Sequence, residues 1–238
     1  MNLRTLAIAA ISLTIFSSCS LFKQTEQTTT AEQDTVTKTM DTVTVEGNRN
    51  YRASATRIND LKHTKLRVSF DWQNQYLYGR ATITLTPHFY PTDSLKLDAK
   101  GFNLDTVALM TDEGKKLLDY EYDSLNIHID LPRTYTKDES YKVYVRYTAK
   151  PEQLPENKGG AISGDKGLYF IDPLNENPDK PRQLWTQGET EASSCWFPTM
   201  DKPNQRTSQE IYMTVADSFT TLSNGELVSA TEHDDGTR

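Results

Sequence analysis

Residues 65–87 read KLRVSFDWQNQYLYGRATITLTP, and apolar and polar side chains alternate along both ends of this stretch. Alternation with a period of two places every second side chain on the same face of a β-strand. The sequence therefore predicts a β-hairpin with one buried face. Its strands are expected at 65–72 and 79–87, around a turn at 74–76.

Further segments with strand character follow the hairpin. Thr, Val, Ile and Tyr dominate them, as is typical of half-buried strands, and clusters rich in turn-forming residues separate them. No segment carries a long helical stripe of apolar residues. The chain is therefore predicted to be all-β, a sandwich or an open β architecture. The predicted strands are SLKLDA (94–99), NLDTVAL (103–109), LNIHIDL (125–131) and SYKVYVRYTA (140–149).

Composition excludes two classes of protein. The 238 residues include 33 acidic and 26 basic side chains, a formal net charge of −7. A nucleic-acid-binding surface needs an excess of clustered Lys and Arg, so no nucleic-acid partner is expected. With only two cysteines, the chain is not a disulfide-stabilised scaffold either.

The N-terminus has the features of an export signal. Arg4 precedes an apolar stretch at 6–16, and that stretch is shorter than the roughly 20 residues needed to span a bilayer. The sequence Ser-Ser-Cys that follows resembles a bacterial lipobox, which implies cleavage after residue 18 and lipidation of Cys19. We expect residues 1–18 to be a lipoprotein signal peptide. An ordinary signal peptide is the alternative.

Residues 19–50 are rich in Thr and Gln and have no sustained apolar periodicity. Such a segment is expected to be a flexible tether, followed by a β-domain at 51–238. Together these features predict an exported protein that a lipid anchor holds on a bacterial membrane. The expected location is the outer membrane, on its periplasmic or surface side.

Self-contained catalytic motifs are absent from the sequence. The four histidines are scattered and form no HExxH pair, and neither a phosphate-binding glycine loop nor a GxSxG motif occurs. Cys195 is expected to be a packed small side chain and not a nucleophile. His63 is expected to cap or pack just before the first strand, and His128 to lie on a strand face.

The most distinctive stretch is LWTQGETEASSCWFPTMDKPNQR at 184–206. It combines two tryptophans, two prolines and two closely spaced carboxylates, Glu189 and Glu191, without helical or strand periodicity. Loops of such specific shape often line functional sites. A well-packed crossing loop is the alternative.

Residues 58–230 resemble the N-terminal domain of M1 zinc aminopeptidases, which is a large open, saddle-like antiparallel β-domain. The resemblance includes the opening strands of that domain, a TQxE element and a continuation of the form FPxxDxP, followed by a strand and an LSNG turn. The matching residues are Thr186, Gln187 and Glu189; Phe197 and Pro198; Asp201 and Pro203; and 222–225.

The resemblance implies specific roles for two residues. In the family, the glutamate of TQxE binds the free α-amino group of a peptide substrate, and the glutamine lines the first side-chain pocket. These positions are Glu189 and Gln187. A carboxylate facing an ammonium makes a charge-assisted hydrogen bond worth about 1.5–3 kcal/mol. Glu191 falls outside the motif and is expected to be solvated, whereas Asp201 and Pro203 are expected to be structural.

The family's zinc-binding and catalytic motifs lie in a following domain that this sequence does not include. The chain is therefore expected to be the front part of an exported aminopeptidase, truncated at its C-terminus. Zn²⁺ would be bound by the full-length enzyme and not by this chain, which should be inactive alone. Its expected partners are peptides with a free N-terminus, the missing catalytic domain and a membrane. A stand-alone, non-catalytic lipoprotein that binds peptides or a protein partner is the alternative.

Overall fold

The predicted hairpin is present and longer than its sequence pattern indicated. In the computed structural model, which describes residues 53–155 and 165–238, β1 (Asn59–Asp71) pairs antiparallel with β2 (Tyr76–Pro87). Leu66 and Val68 of β1 are buried, whereas Arg67 between them is exposed. The alternation therefore separates a core face from an outer face, as period-two patterning requires.

Nine further strands follow the hairpin in the part of the chain that the structure describes. Those that belong to the predicted segments begin or end within a few residues of the expected positions, and the others are short. The strands are β3 (Thr92–Asp98), β4 (Phe102–Thr111), β5 (Gly114–Leu117), β6 (Tyr120–Tyr122), β7 (Asn126–Tyr135), β8 (Tyr141–Ala149), β9 (Leu168–Ile171), β10 (Gln183–Thr186) and β11 (Ser208–Thr214).

The strands form three sheets. The largest has six strands in the order β11-β1-β2-β8-β4-β5, the second has the order β3-β7-β6, and β9 pairs with β10. Strand β11 runs parallel to β1, whereas every other strand pair in the described residues is antiparallel. The prediction of an all-β fold built on an open antiparallel sheet is confirmed, with one parallel pair at an edge.

The core is a single cluster of buried apolar side chains. Leu66 and Ile83 enter it from the six-stranded sheet, and Leu97 and Ile127 enter it from the three-stranded sheet. Burial of one such side chain contributes about 1.5–3 kcal/mol, so this shared cluster holds the two sheets together. Within the described residues, no helix is long and apolar enough to cross a membrane.

His63 lies inside β1 and not before it, and its ring contacts Ser208 Oγ at 2.7 Å; the strand starts earlier because Asn59–Leu61 also pair with β2. His128 lies on the exposed face of β7, as predicted. The signal peptide at 1–18, the tether at 19–50 and Cys19 lie outside the described residues.

Candidate functional site

The segment at 184–206, termed the site segment below, connects β10 to the approach to β11. Its first residues belong to β10, a strand that the lack of periodicity in this segment did not indicate. Pairing with β9 accounts for this strand: Trp185 lies opposite Tyr169. Three of the four strand residues are exposed, so no buried face imposes an alternation on the sequence. A short 3-10 turn at Ser193–Cys195 follows.

Gln187 and Glu189 lie next to each other immediately after β10. Gln187 is partly buried and Glu189 is exposed, and Gln187 Nε2 is 3.5 Å from Glu189 Oε2. The Gln187 backbone N–H donates to the Gly167 carbonyl at 3.0 Å, which fixes the start of the loop against the strand pair. The peptide bond between Glu189 and Thr190 is cis.

Glu189 and Glu191 have different surroundings. The Glu191 side chain is 43% exposed, in agreement with its expected solvation, and Lys202 Nζ lies 2.6 Å from Glu191 Oε2. The sequence did not predict this cationic partner. The chain reverses direction near Asp201, and this reversal places Lys202 beside Glu191. By contrast, no cationic group among residues 53–155 and 165–238 lies within ion-pair distance of Glu189. Glu189 therefore presents an exposed carboxylate without a protein counter-ion.

Gly167 packs closely against the backbone of the site segment. This residue has a φ of +67°, and a Cβ added to it would lie 2.0 Å from the Ala192 carbonyl oxygen. Cys195 lies beside Gly167, is 1% exposed, and burial raises the pKa of its thiol to about 11. The prediction that Cys195 is a packed side chain is confirmed, since such a thiol is neutral and inaccessible at pH 7.

Asp201 has the structural role that was expected of it. Its carboxylate accepts a hydrogen bond from the Ser194 backbone N–H at 2.8 Å, and its own N–H donates to Asp98 Oδ2 at 2.8 Å. Burial raises the pKa of Asp201, although the bond from Ser194 opposes this shift. Asp201 thus ties the 3-10 turn to β3. Pro203 is exposed in a separate turn two residues after Asp201.

Tyr147 connects the site segment to the six-stranded sheet. Its hydroxyl donates to the Trp196 carbonyl at 3.0 Å, and Phe197 beside it is part of the core. The close approach of Tyr147 depends on Gly79 of β2, where a Cβ would lie 2.1 Å from Tyr147 Cζ. The second half of the segment is therefore fixed to the sheet.

Sequence patterns did not identify an aromatic pair beside Gln187. Trp185 stacks on Tyr169 with ring centroids 4.6 Å apart, and Trp185 is 45% exposed. The pair arises from the register of β9 with β10. Both strands are too short to carry a clear signal in the sequence.

Metal ligands are not clustered in this part of the molecule. Among the described residues, no group of three or more His, Cys, Asp or Glu side chains could hold a metal ion. Three histidines instead contact single carboxylates: His63 Nε2 lies 3.1 Å from Glu210 Oε1, His88 Nδ1 lies 2.9 Å from Asp60 Oδ1, and His128 Nε2 lies 3.9 Å from Asp123 Oδ2. The donor set therefore does not fit Zn²⁺ coordination.

Known proteins resemble this chain in sequence and in fold. The model of the peptidase M1 N-terminal domain family matches residues 60–238. Puromycin-sensitive aminopeptidase from Caenorhabditis elegans is 30% identical over 182 residues, which are 74% of this chain and 18% of that protein. The chain thus spans less than a fifth of that curated relative.

Solved structures agree at the level of the fold. An M1 zinc metallopeptidase variant from Deinococcus radiodurans, bound to a Tyr-Ser-Ala substrate, superposes with a TM-score of 0.63 at 16% identity. The match covers 79% of this chain and 39% of that one. Another structure of the Deinococcus radiodurans enzyme gives a TM-score of 0.60 at 17% identity, over 78% of this chain and 38% of that one. The family match over residues 60–238 means that the chain belongs to the M1 peptidase family and carries its N-terminal domain.

Proposed function

We propose that this domain supplies the anchor for the substrate's α-amino group in an exported M1 zinc aminopeptidase. The observation that carries the proposal is the exposed Glu189 carboxylate, which has no counter-ion among the described residues, whereas nearby Glu191 is paired with Lys202. A carboxylate free of protein cations is available to an incoming ammonium. Gln187, whose amide nitrogen lies 3.5 Å from Glu189, would line the pocket for the first side chain.

The surroundings of Gln187 and Glu189 support these two roles. Gln187 is fixed by its backbone bond to Gly167, so the carboxylate two residues later projects from an anchored loop. This arrangement would select peptides with an unblocked N-terminus, because an acetylated terminus carries no charge to pair with Glu189. Zn²⁺ would be bound by another part of a longer protein, since the described residues do not fit it.

A kinetic comparison tests the role of Glu189. In the longer enzyme, Glu189→Gln removes the charge and keeps the shape, and should lower kcat/KM on free peptides by roughly 10-fold to 150-fold, the equivalent of a charge-assisted hydrogen bond. Glu191→Gln is the matched control, because it removes the same charge two residues away and breaks only the contact with Lys202. Equal activity of Glu189→Gln and the parent enzyme would contradict the proposal.

Membrane attachment is a separate proposal. Its support is the apolar stretch at 6–16 followed by Ser-Ser-Cys19, which is consistent with a lipoprotein signal peptide. Cells that express the chain should incorporate labelled palmitate into it, and Cys19→Ser should abolish that label. Equal labelling of Cys19→Ser would exclude lipidation at this residue.

A further inference from the structure

The outer face of the six-stranded sheet carries three arginines side by side, termed the arginine row. Arg67 of β1 lies directly opposite Arg80 of β2, and Arg80 lies directly opposite Arg146 of β8. All three are exposed and alternate with buried neighbours, so they share one face. Residues paired in this way have Cβ atoms only about 4.5–5.5 Å apart.

A pocket of about 220 Å³ opens beside the arginine row. Four of the six side chains that line it are cationic, and none is acidic. This basic pocket is lined by Lys65, Arg67, Arg80, Thr82, Lys115 and Tyr144. At roughly 30 Å³ per water molecule, the volume is sufficient for a phosphate group and some of its hydration.

Carboxylates neutralise the margins of this surface but not its centre. Asp105 Oδ2 lies 3.2 Å from Arg146 Nε, and Glu210 Oε2 lies 2.9 Å from Lys65 Nζ. Within the described ranges, no carboxylate lies within ion-pair distance of Arg67, Arg80 or Lys115.

Aromatic rings give the central cations partial compensation. Lys115 Nζ lies 3.6 Å from the centroid of the Tyr144 ring, and the Arg67 guanidinium lies 4.4 Å from that of Tyr212. Such contacts orient the side chains and leave their charge in place. The concentration of positive charge is unusual in a chain whose formal net charge is −7.

Like charges directly opposite each other on neighbouring strands destabilise a sheet. A bound anion would relieve that repulsion, and the planar guanidinium fork suits the oxygens of a phosphate, which it can bind in a bidentate manner. A monocarboxylate would leave part of the cationic lining without a partner, whereas a phosphate has more oxygens and more charge. The Thr82 hydroxyl adds an uncharged donor at the wall.

We propose that the basic pocket binds a phosphate-class oxyanion, in addition to the amino-group anchor at Glu189. The anion would contact Arg67 and Arg80 from outside the sheet, with Lys65 and Lys115 at the pocket walls. Its source is either a soluble phosphate compound or the headgroup of an anionic phospholipid, since both present the same oxygens. The basic pocket contains no residue of the site segment, and the inference does not depend on the proposed function.

Titration of the full chain with pyrophosphate at low salt tests the proposal. Arg80→Gln should raise the dissociation constant about tenfold or more, because it removes the central fork. Arg206→Gln is the matched control, since Arg206 is exposed and lies outside the basic pocket; it should leave the constant within about twofold. Arg80→Lys, which retains the charge but not the fork, should give an intermediate value.

Sedimentation with phosphatidylglycerol vesicles, compared with phosphatidylcholine vesicles, distinguishes the two sources. Binding of pyrophosphate alone that depends on Arg80 supports a soluble ligand, and binding to phosphatidylglycerol that depends on Arg80 supports a headgroup. The proposal would be overturned if the chain bound neither pyrophosphate nor phosphatidylglycerol vesicles, or if Arg80→Gln and Arg206→Gln weakened binding equally. Circular dichroism of each variant verifies that the sheet is intact.

Discussion

Tyr147→Phe should detach the site segment from the sheet at one defined point. The Tyr147 hydroxyl donates to the Trp196 carbonyl at 3.0 Å, and no second donor among the described residues reaches that oxygen. The ring itself stacks on Phe102 with centroids 4.8 Å apart. Phenylalanine retains this stacking, so the substitution isolates the hydrogen bond.

The expected loss is that of a buried acceptor left without its donor, about 1–3 kcal/mol in the free energy of unfolding. For a protein of this size, 1 kcal/mol corresponds to about 2–4 °C in Tm. The Tm should therefore fall by roughly 2–12 °C. Burial raises the pKa of Tyr147, so the hydroxyl remains a donor at neutral pH and the effect should not change between pH 6 and 8.

Urea unfolding followed by tryptophan fluorescence measures this difference, with the slope m compared between proteins. Tyr90→Phe is the control, because it removes the same atom from a side chain that is 76% exposed. The reasoning would be refuted if Tyr147→Phe and Tyr90→Phe unfolded at the same urea concentration with the same slope.

Gly167, which contacts the site segment, and Asp201, which lies within it, give two further predictions. Gly167→Ala should destabilise the protein by about 1–3 kcal/mol more than Gly236→Ala in the same unfolding assay. Both glycines have positive φ, but only at Gly167 would the new Cβ meet the Ala192 carbonyl. Equal destabilisation by the two substitutions would show that the positive φ, and not the contact with Ala192, causes the loss. The folded-state pKa of Asp201 is raised by burial, so its contribution to stability is fully present below the unfolded pKa and is lost as pH rises through the folded pKa. The free energy of unfolding of Asp201→Asn, relative to that of the parent protein, should therefore increase with pH across the acid range. Urea unfolding at several pH values measures this difference, and a decrease with pH would contradict the prediction.

Sequence periodicity was sufficient for the long strands because one face of each is buried. The segments predicted at 65–72, 79–87 and 140–149 match, to within one residue at an end, parts of strands whose inward residues form the core. Strand β5 was missed because all four of its residues are exposed and carry no alternation. The β9–β10 pair was missed because each strand has only four residues.

The candidate site was predictable only where neighbours in sequence are neighbours in space. Gln187 and Glu189 are two residues apart and lie together. The ion pair between Glu191 and Lys202 depends on a turn of the chain that no pattern specifies. The strand that the family resemblance placed after Pro203 is present as β11, but its parallel pairing with β1 is a long-range contact with no signal in the sequence.

That pairing has a consequence for biosynthesis. The contact of His63 with Ser208 joins residues 145 positions apart, and contacts across so long a loop form late because chain entropy opposes its closure. On the ribosome, the hairpin of β1 and β2 can form early, but the edge of β1 that β11 will cover stays open until residue 214 has emerged. We expect the nascent domain to be most prone to aggregation in this interval, since an uncovered strand edge offers backbone groups to other chains.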